Sequence, residues 1–406
     1  MLEIVQKVLL ILIVFSSAAS LFLLLVTRNV FRKNALSPQT TTEKLPPVSI
    51  LKPLRGEDPE LEQNLEAFFS QDYPEYEIIF ACEDTDDSAL AVVQAIQKRF
   101  QQIPVKVKAD KTSYGYNPKV NNLIRAYSAA SYNIILTGDS DVRPPRNYLR
   151  MIVTELLKDN NKMVVNPIYG RGDSSLGSIL ETLHLNSLIL SGIAFLSIYR
   201  KKLAGFGKSM LFRKSDLETV GGFIGLKDFF AEDYVLAERI SKLPGKCHIA
   251  RMLLPCITSQ RSLQQFINRH GRWAQARRRI AGWSYPAELL ANPVWWGLLY
   301  AAINLFSWAG VRVFALAAIF KILLDGYQGM AVAKNRKLAS YFLIPLKDLL
   351  TGIIWFYPLV TDTVYWRGVR LRVTAGTELK EAGRRKVLGV RLPNISIRRW
   401  LSHSDS

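Results

Sequence analysis

Residues 8–27, VLLILIVFSSAASLFLLLVT, run for twenty positions without a charged side chain, about the length of helix that crosses a bilayer core of roughly 30 Å. A cleaved signal peptide is the competing reading. The apolar run is longer than the usual ~7–15 residues, however, and the small-residue cluster SSAAS lies inside it, so the pattern predicts a retained anchor. Arg28, Arg32 and Lys33 follow the span directly, while Glu3 and Lys7 before it roughly cancel. The positive-inside bias therefore puts the N-terminus outside and the chain after Arg28 in the cytosol. A second apolar zone, residues 293–324, is long enough for two short spans with SWAGVR as the turn, or for one long tilted span. Residues 341–360 are interrupted by Lys347, Asp348 and two prolines, which predicts an interfacial or re-entrant segment rather than a clean crossing.

Between these zones the pattern changes. VSILKPL (48–54), YEIIFACED (76–84) and NIILTGDSD (133–141) are short β-rich runs, each bounded by polar or turn-forming residues. PELEQNLEAFFSQ (59–71) and SALAVVQAIQKRF (88–100) space their apolar residues by three and four, as helices do. Strands alternating with helices of this length predict an α/β domain with a mainly parallel sheet. The reading divides the chain into an anchor at 1–30, a Thr/Ser/Pro-rich linker at 31–47, the α/β domain at 48–285, membrane or interfacial helices at 286–366 and a basic tail at 367–406. In open α/β sheets ligands bind beyond the carboxyl ends of the strands. Two of the predicted strands end there in acid clusters, Glu83 to Asp87 and Asp139-Ser140-Asp141.

Charge narrows the partners. With 53 Lys+Arg against 34 Asp+Glu and a net charge of +19, the chain suits nucleic acid, anionic lipid or a phosphate-bearing substrate. Cys82, Cys247 and Cys256 have no paired spacing, so neither a disulfide framework nor a zinc site is indicated and packed thiols are expected.

Asp139 and Asp141 at a strand end are either a solvated turn before Pro144 or a pair of hard oxygen ligands for Mg²⁺ or Mn²⁺. Such an ion would have open positions for a diphosphate. Glu232 and Asp233 precede the helical run VLAERI; they suit a helix start, or Asp233 suits a general base toward an acceptor hydroxyl. SLQQFINRHGRWAQARRRI (262–280) carries Arg269, Arg272, Arg277, Arg278 and Arg279 within eleven residues, with His270 and Trp273 among them. It reads equally as a nucleic-acid helix, a juxtamembrane lipid-binding segment or a diphosphate clamp.

The ordered set SILKPLRG (49–56), FSQDYPEYEIIFACEDTDD (69–87), YNPKVNNL (116–123), TGDSDV (137–142), GKSMLFRK (207–214), AEDY (231–234) and RHGRW (269–273) resembles the ceramide glucosyltransferase group. That group is family 21 of glycosyltransferases, within the larger inverting family-2-like set. The group is marked by three aspartate motifs and a final (Q/R)xxRW, which fall here on Asp84, Asp141, Asp233 and on Arg269, Arg272 and Trp273. The resemblance implies a GT-A fold and a UDP-sugar donor. In it Asp84 contacts the uracil or ribose, Asp141 with Asp139 holds the metal on the diphosphate, Asp233 is the base, and Glu232 beside it belongs to the nucleotide-sugar-binding set. Arg269 to Trp273 hold the leaving UDP. Lys52 and Lys119 fall in matching motifs and would contact the nucleotide or sugar phosphates. His184, in the apolar stretch 180–199, is either a core histidine or a contact to the lipid acceptor.

The expectation is a multi-pass membrane glycosyltransferase that moves glucose or a related hexose from a UDP-sugar to the hydroxyl of a lipid such as ceramide, with no nucleic-acid partner. Nearby alternatives are a hopanoid or diacylglycerol acceptor, with N-acetylglucosamine as a possible sugar. A non-catalytic tether binding anionic lipid or nucleic acid is the contrasting class. Neither the oligomeric state nor the membrane, inner, plasma or Golgi-type, follows from the residues.

Overall fold

Short apolar runs bounded by polar turns become the strands β1 (Val48–Pro53), β2 (Tyr76–Cys82), β3 (Val105–Ala109), β4 (Ile134–Gly138), β5 (Asn161–Val165), β6 (Ile168–Arg171), β7 (Ser209–Arg213), β8 (Lys246–Ile249) and β9 (Leu254–Ile257) in the computed structural model. The described residues are 1–31, 45–200, 207–333, 337–366, 369–382, 386–387 and 390–391. The expected linker at 31–47 and the far end of the basic tail fall largely outside them. Seven strands form one sheet in the order β3-β2-β1-β4-β7-β5-β8. The first four are mutually parallel, whereas β7 runs antiparallel to both β4 and β5. The α/β expectation of a mainly parallel sheet is met.

The helices that cover the sheet are α2 (Leu61–Phe69), α3 (Ser88–Arg99) and α5 (Tyr148–Leu157) on one face, following α1 (Leu2–Phe31) at the N-terminus. The other face is covered by α4 (Pro118–Tyr127), α8 (Lys214–Thr219) and α9 (Glu232–Ile240). Between α5 and α8 the chain forms α6 (Leu176–His184) and α7 (Leu190–Phe195). Because both faces are packed, β2 shows no polar alternation and every residue of YEIIFAC is buried. One polar exception is satisfied: Glu77 accepts from Ser49 Oγ (2.6 Å) and meets Lys106 Nζ at 2.6 Å. Truncating a fully buried ring such as Phe80 would cost about 3–5 kcal/mol.

The chain continues through α10 (Leu263–Ala281), α11 (Pro293–Ile303), α12 (Trp308–Val332) and α13 (Ile344–Val360). Among the described residues, three helical stretches are long and apolar enough to cross a membrane: Leu2–Phe31, Leu176–Ile198 and Leu338–Val360. The middle one lies inside the range expected for the α/β domain, and 67% of its apolar window is buried within the protein. Polar contacts tie α1 to its neighbours. Thr27 Oγ1 donates to Ser191 Oγ (3.0 Å) and Gln6 Nε2 to Asn304 Oδ1 (2.8 Å).

The second apolar zone breaks earlier than SWAGVR. Ser307 caps α12 by accepting the Gly310 N–H, and Leu305 and Phe306 take left-handed backbone angles, so residues 304–307 make the turn. The charges expected to keep residues 341–360 at the interface are instead neutralised inside the helix group. Lys347 Nζ sits 2.7 Å from Asp348 Oδ1 and 3.0 Å from Asp325 Oδ2, and Lys321 pairs with Asp325 at 2.7 Å. Beyond α13, β10 (Thr363–Trp366), β11 (Val369–Val373) and β12 (Leu379–Glu381) form an antiparallel sheet. Its edge holds the chain ahead of α9: Phe230 N–H donates to Thr377 O (2.8 Å) and Leu379 N–H to Asp228 O (2.6 Å).

Candidate active site

Parallel β1, β2 and β4 all end on one edge, so Lys52, Asp84 and the Asp139–Asp141 pair emerge on the same side. The antiparallel β7 enters from that edge, and the pairing of Gly138 with Ser209 puts Lys208 beside the two aspartates. Lys208 Nζ lies 2.5 Å from each carboxylate oxygen of Asp141 and 3.1 Å from Asp139 Oδ2. Lys119, in the first turn of α4, reaches Asp139 Oδ1 at 2.8 Å and Glu232 Oε1 at 3.1 Å. Lys52 donates to the Asp139 carbonyl (2.5 Å) and lies over the Phe68 ring. The carboxylates at this strand end are therefore met by lysines rather than by solvent, which corrects the reading of a solvated turn.

Asn117 explains how Lys119 is aimed. Its side chain caps α4 by accepting the Lys119 and Val120 N–H groups, while its amide donates to Glu232 Oε2 (3.1 Å) and to Phe229 O (2.7 Å). Glu232 opens α9, and Asp233 follows with both carboxylate oxygens held by backbone. Oδ2 accepts from the Gly207 N–H (2.7 Å) and Oδ1 from the Tyr234 N–H (2.8 Å). A Cβ at position 207 would stand 2.5 Å from Lys119 Nζ and 3.2 Å from Asp233 Oδ2, so a larger residue there would push the lysine aside.

Burial and charge set the protonation states. Burial pushes the Asp233 carboxyl up to about 6, aided by Glu232 and opposed by Lys119. Burial would also raise Asp139, but Lys119 and Lys208 overcome it and hold it well below the usual carboxylate range. Asp141 is likewise depressed, burial being outweighed by Lys208 and Arg269. Burial brings the Lys52 ammonium down to about 7 despite Asp139 and Asp141. Two carboxylates stay ionised and a third sits near neutrality, a separation typical of sites with divided acid–base roles.

Arg269 reaches the cluster from α10. Its Nη2 is 3.7 Å from Asp141 Oδ2, its Nε is 3.3 Å from Glu181 Oε1, and its guanidinium lies 4.8 Å from the Trp273 ring centre. Glu181, fully buried on α6, is also held by Arg261 at 2.6 and 2.7 Å. Arg272 is half-buried three residues along the same helix. Arg277 pairs with Glu288 (2.9 Å), and Arg278 donates to the Pro358 carbonyl. Arg277 and Arg278 thus tie α10 to the following segments.

The structure brings together Lys52, Lys119, Asp139, Asp141, Glu232, Asp233 and Arg269, with Trp273 one layer behind. Asp84 stands apart at the end of β2, accepting from the Asp86 N–H (3.2 Å) and facing Lys111 at 3.6 Å. His184 is 1% exposed and packs edge-on against His270, with ring centres 4.6 Å apart. Neither of its ring nitrogens has a hydrogen-bond partner among the described residues, and it lines a cavity with Lys321, Lys347, Asp348 and Asn292. The core placement holds, while contact with the carboxylate cluster is indirect, through His270 and Trp273. Lys208, Glu181, Asn117 and Asp58, whose carboxylate accepts from Ser140 Oγ, are site residues that sequence reasoning passed over. The three cysteines are free, and Cys82 and Cys256 are buried.

Among the described residues no group of three or more His, Cys, Asp and Glu side chains is placed to hold a metal ion. Two carboxylates nevertheless converge on a single cation, the Lys208 ammonium. That convergence fits a hard divalent ion bound by one or two carboxylates and completed by phosphate oxygens.

The sequence model of the family described as "Glycosyl transferase family 21" matches residues 8–379. The chain is 27% identical over 350 residues to "Ceramide glucosyltransferase 1" of Caenorhabditis elegans, covering 83% of this chain and 73% of that protein. It is 31% identical over 194 residues to the ceramide glucosyltransferase of Komagataella phaffii, covering 42% of this chain and 38% of that one. Among solved structures it is similar to the mannosyltransferase PcManGT from Pyrobaculum calidifontis in complex with GDP-Man and Mn²⁺. That pair has a TM-score of 0.49 and 16% identity, covering 88% of this chain and 99% of that one.

Proposed function

The chain belongs to glycosyl transferase family 21, and from that membership we propose that it transfers glucose from UDP-glucose to the primary hydroxyl of ceramide, forming a β-glycoside. The transfer is read as taking place at a GT-A type domain facing the cytosol beside its membrane helices. The observation that carries the reading is Asp233. It is a half-buried carboxylate raised to about 6, and it sits in the first turn of α9 beside Glu232, which shares Lys119 with Asp139.

Asp233 accepts the proton of the acceptor hydroxyl as that oxygen bonds to the anomeric carbon. The bond from that carbon to the β-phosphate oxygen breaks, and its electron pair leaves with UDP. Each Asp233 oxygen accepts one backbone N–H and keeps a lone pair for the incoming proton. Asp139 and Asp141 would hold Mg²⁺ or Mn²⁺, which would offset the charge that develops on the diphosphate. Lys119 and Arg269 supply fixed positive charge around the same place, where a buried setting makes it most effective. Asp84, two strands away from the D-x-D pair at roughly 5 Å per strand, lies where the uracil and ribose would reach.

The pH profile follows in sign. Asp233 works as a base only when ionised, so kcat/KM is expected to climb as pH rises through about 6 and to level off above it. Rates measured from pH 5 to 8 with saturating metal check this; a profile flat across that range removes Asp233 from the role. Metal removal is the second check. UDP-sugar binding is expected to need Mg²⁺ or Mn²⁺ and to weaken in Asp141→Asn. Equal UDP affinity by calorimetry in EDTA and in Mn²⁺ would show that the lysines alone hold the diphosphate.

A further inference from the structure

We propose that Lys208 is the resident cation of the D-x-D pair, giving way to a divalent ion only when the donor diphosphate arrives, so that metal and nucleotide bind as a unit. The proposal rests on the metal reading of Asp139 and Asp141 given above. Lys208 Nζ is 2.5 Å from both oxygens of Asp141 and 3.1 Å from Asp139 Oδ2, and the residue is 9% exposed. A divalent ion would need those oxygens at roughly 2.0–2.6 Å. It would then occupy the ground the ammonium already holds, and the two cannot share it.

The neighbouring lysines are placed differently. Lys119 divides its charge between Asp139 and Glu232 and also donates to the Gly207 carbonyl (3.3 Å), so it keeps partners when a metal takes Asp139. Lys52 binds the Asp139 backbone carbonyl rather than a carboxylate. Every ion pair of Lys208 described in the structure is with Asp139 or Asp141. A metal entering alone would leave this buried ammonium without an ion-paired carboxylate and with only the longer-range charge of Asp58 nearby, which is unfavourable. A metal entering with a diphosphate brings the anion that the displaced ammonium can turn to on its flexible stem. Binding of one therefore favours the other, and the coupling is reciprocal. The same exchange run backwards lets Lys208 retake the carboxylates as metal and UDP depart.

The test is Mn²⁺ binding to the purified full-length protein, read from the electron paramagnetic resonance of free Mn²⁺, with and without UDP. A protein-free blank corrects for Mn²⁺ held by UDP itself. In wild type, saturating UDP is expected to tighten Mn²⁺ by at least about 10-fold, with Mn²⁺ tightening UDP by the same factor. Lys208→Met should bind Mn²⁺ alone about 10-fold more tightly than wild type, with the UDP enhancement smaller by the same factor, the remainder coming from direct coordination of phosphate oxygens. If Lys208→Met does not fold, Lys208→Gln carries the test. A wild type that binds Mn²⁺ equally with and without UDP overturns the proposal, as does a folded variant whose unaided Mn²⁺ binding is no tighter. No Mn²⁺ binding even with UDP would instead remove the metal reading, and the proposal with it.

Discussion

Asp233→Asn is expected to fold, to melt near the wild-type temperature and to bind UDP-sugar, yet to transfer sugar to lipid about 10²–10⁴-fold more slowly. The structure sharpens why folding should survive. Both Asp233 oxygens accept backbone N–H groups, from Gly207 and Tyr234. An asparagine carbonyl can keep one of these bonds, while its NH₂ faces the other donor. The lost bond is offset in part because a carboxylate pushed up to about 6 by burial and by Glu232 is itself costly to keep charged. Removing that charge also relieves repulsion with Glu232. The amide cannot take a proton from the acceptor, so the deficit falls on the chemical step. Radiolabelled transfer measured alongside thermal melting decides the matter. Near-normal transfer would rule Asp233 out as the base, and a collapsed melting temperature would mark it as structural.

How much of this was legible in the residues depended on whether a contact was local. The strand ends carrying Lys52, Asp84 and Asp139–Asp141 could be read because a parallel sheet sends successive carboxyl ends to one edge. Asp233 and Arg269 stood out through charge next to helical periodicity. Lys208 did not, although GKSMLFRK was conspicuous as a run. Its importance comes from β7 inserting antiparallel between β4 and β5, a pairing that no periodicity announces. Glu181 was hidden for another reason. A single acid in the apolar stretch 180–199 looks like an interruption until Arg261 and Arg269 arrive from about eighty residues away. The charges at Lys347 and Asp348 were misjudged in the same manner, because Asp325 and Lys321 on α12 neutralise them.

Arg269→Ala is expected to lower kcat by about 10²–10³-fold, the range seen when a fixed transition-state charge donor is removed. The KM for UDP-sugar should change far less, because the charge that Arg269 is proposed to offset grows as the diphosphate leaves. The ion pairs make this a clean substitution. When Arg269 goes, Glu181 retains Arg261 at 2.6 Å and Asp141 retains Lys208 at 2.5 Å, so neither buried carboxylate is orphaned. Glu181→Gln is the opposite experiment. It leaves two guanidinium groups facing one another without their shared carboxylate, a loss of about 3–5 kcal/mol when a buried pair is broken from one side. Its signature is therefore a lower melting temperature together with a lower rate, whereas Arg269→Ala lowers the rate alone. If Arg269→Ala destabilises the fold as much as Glu181→Gln, then Arg269 serves the packing of α10 on α6, and the charge that steadies the leaving UDP must come from Lys119 and its neighbours instead.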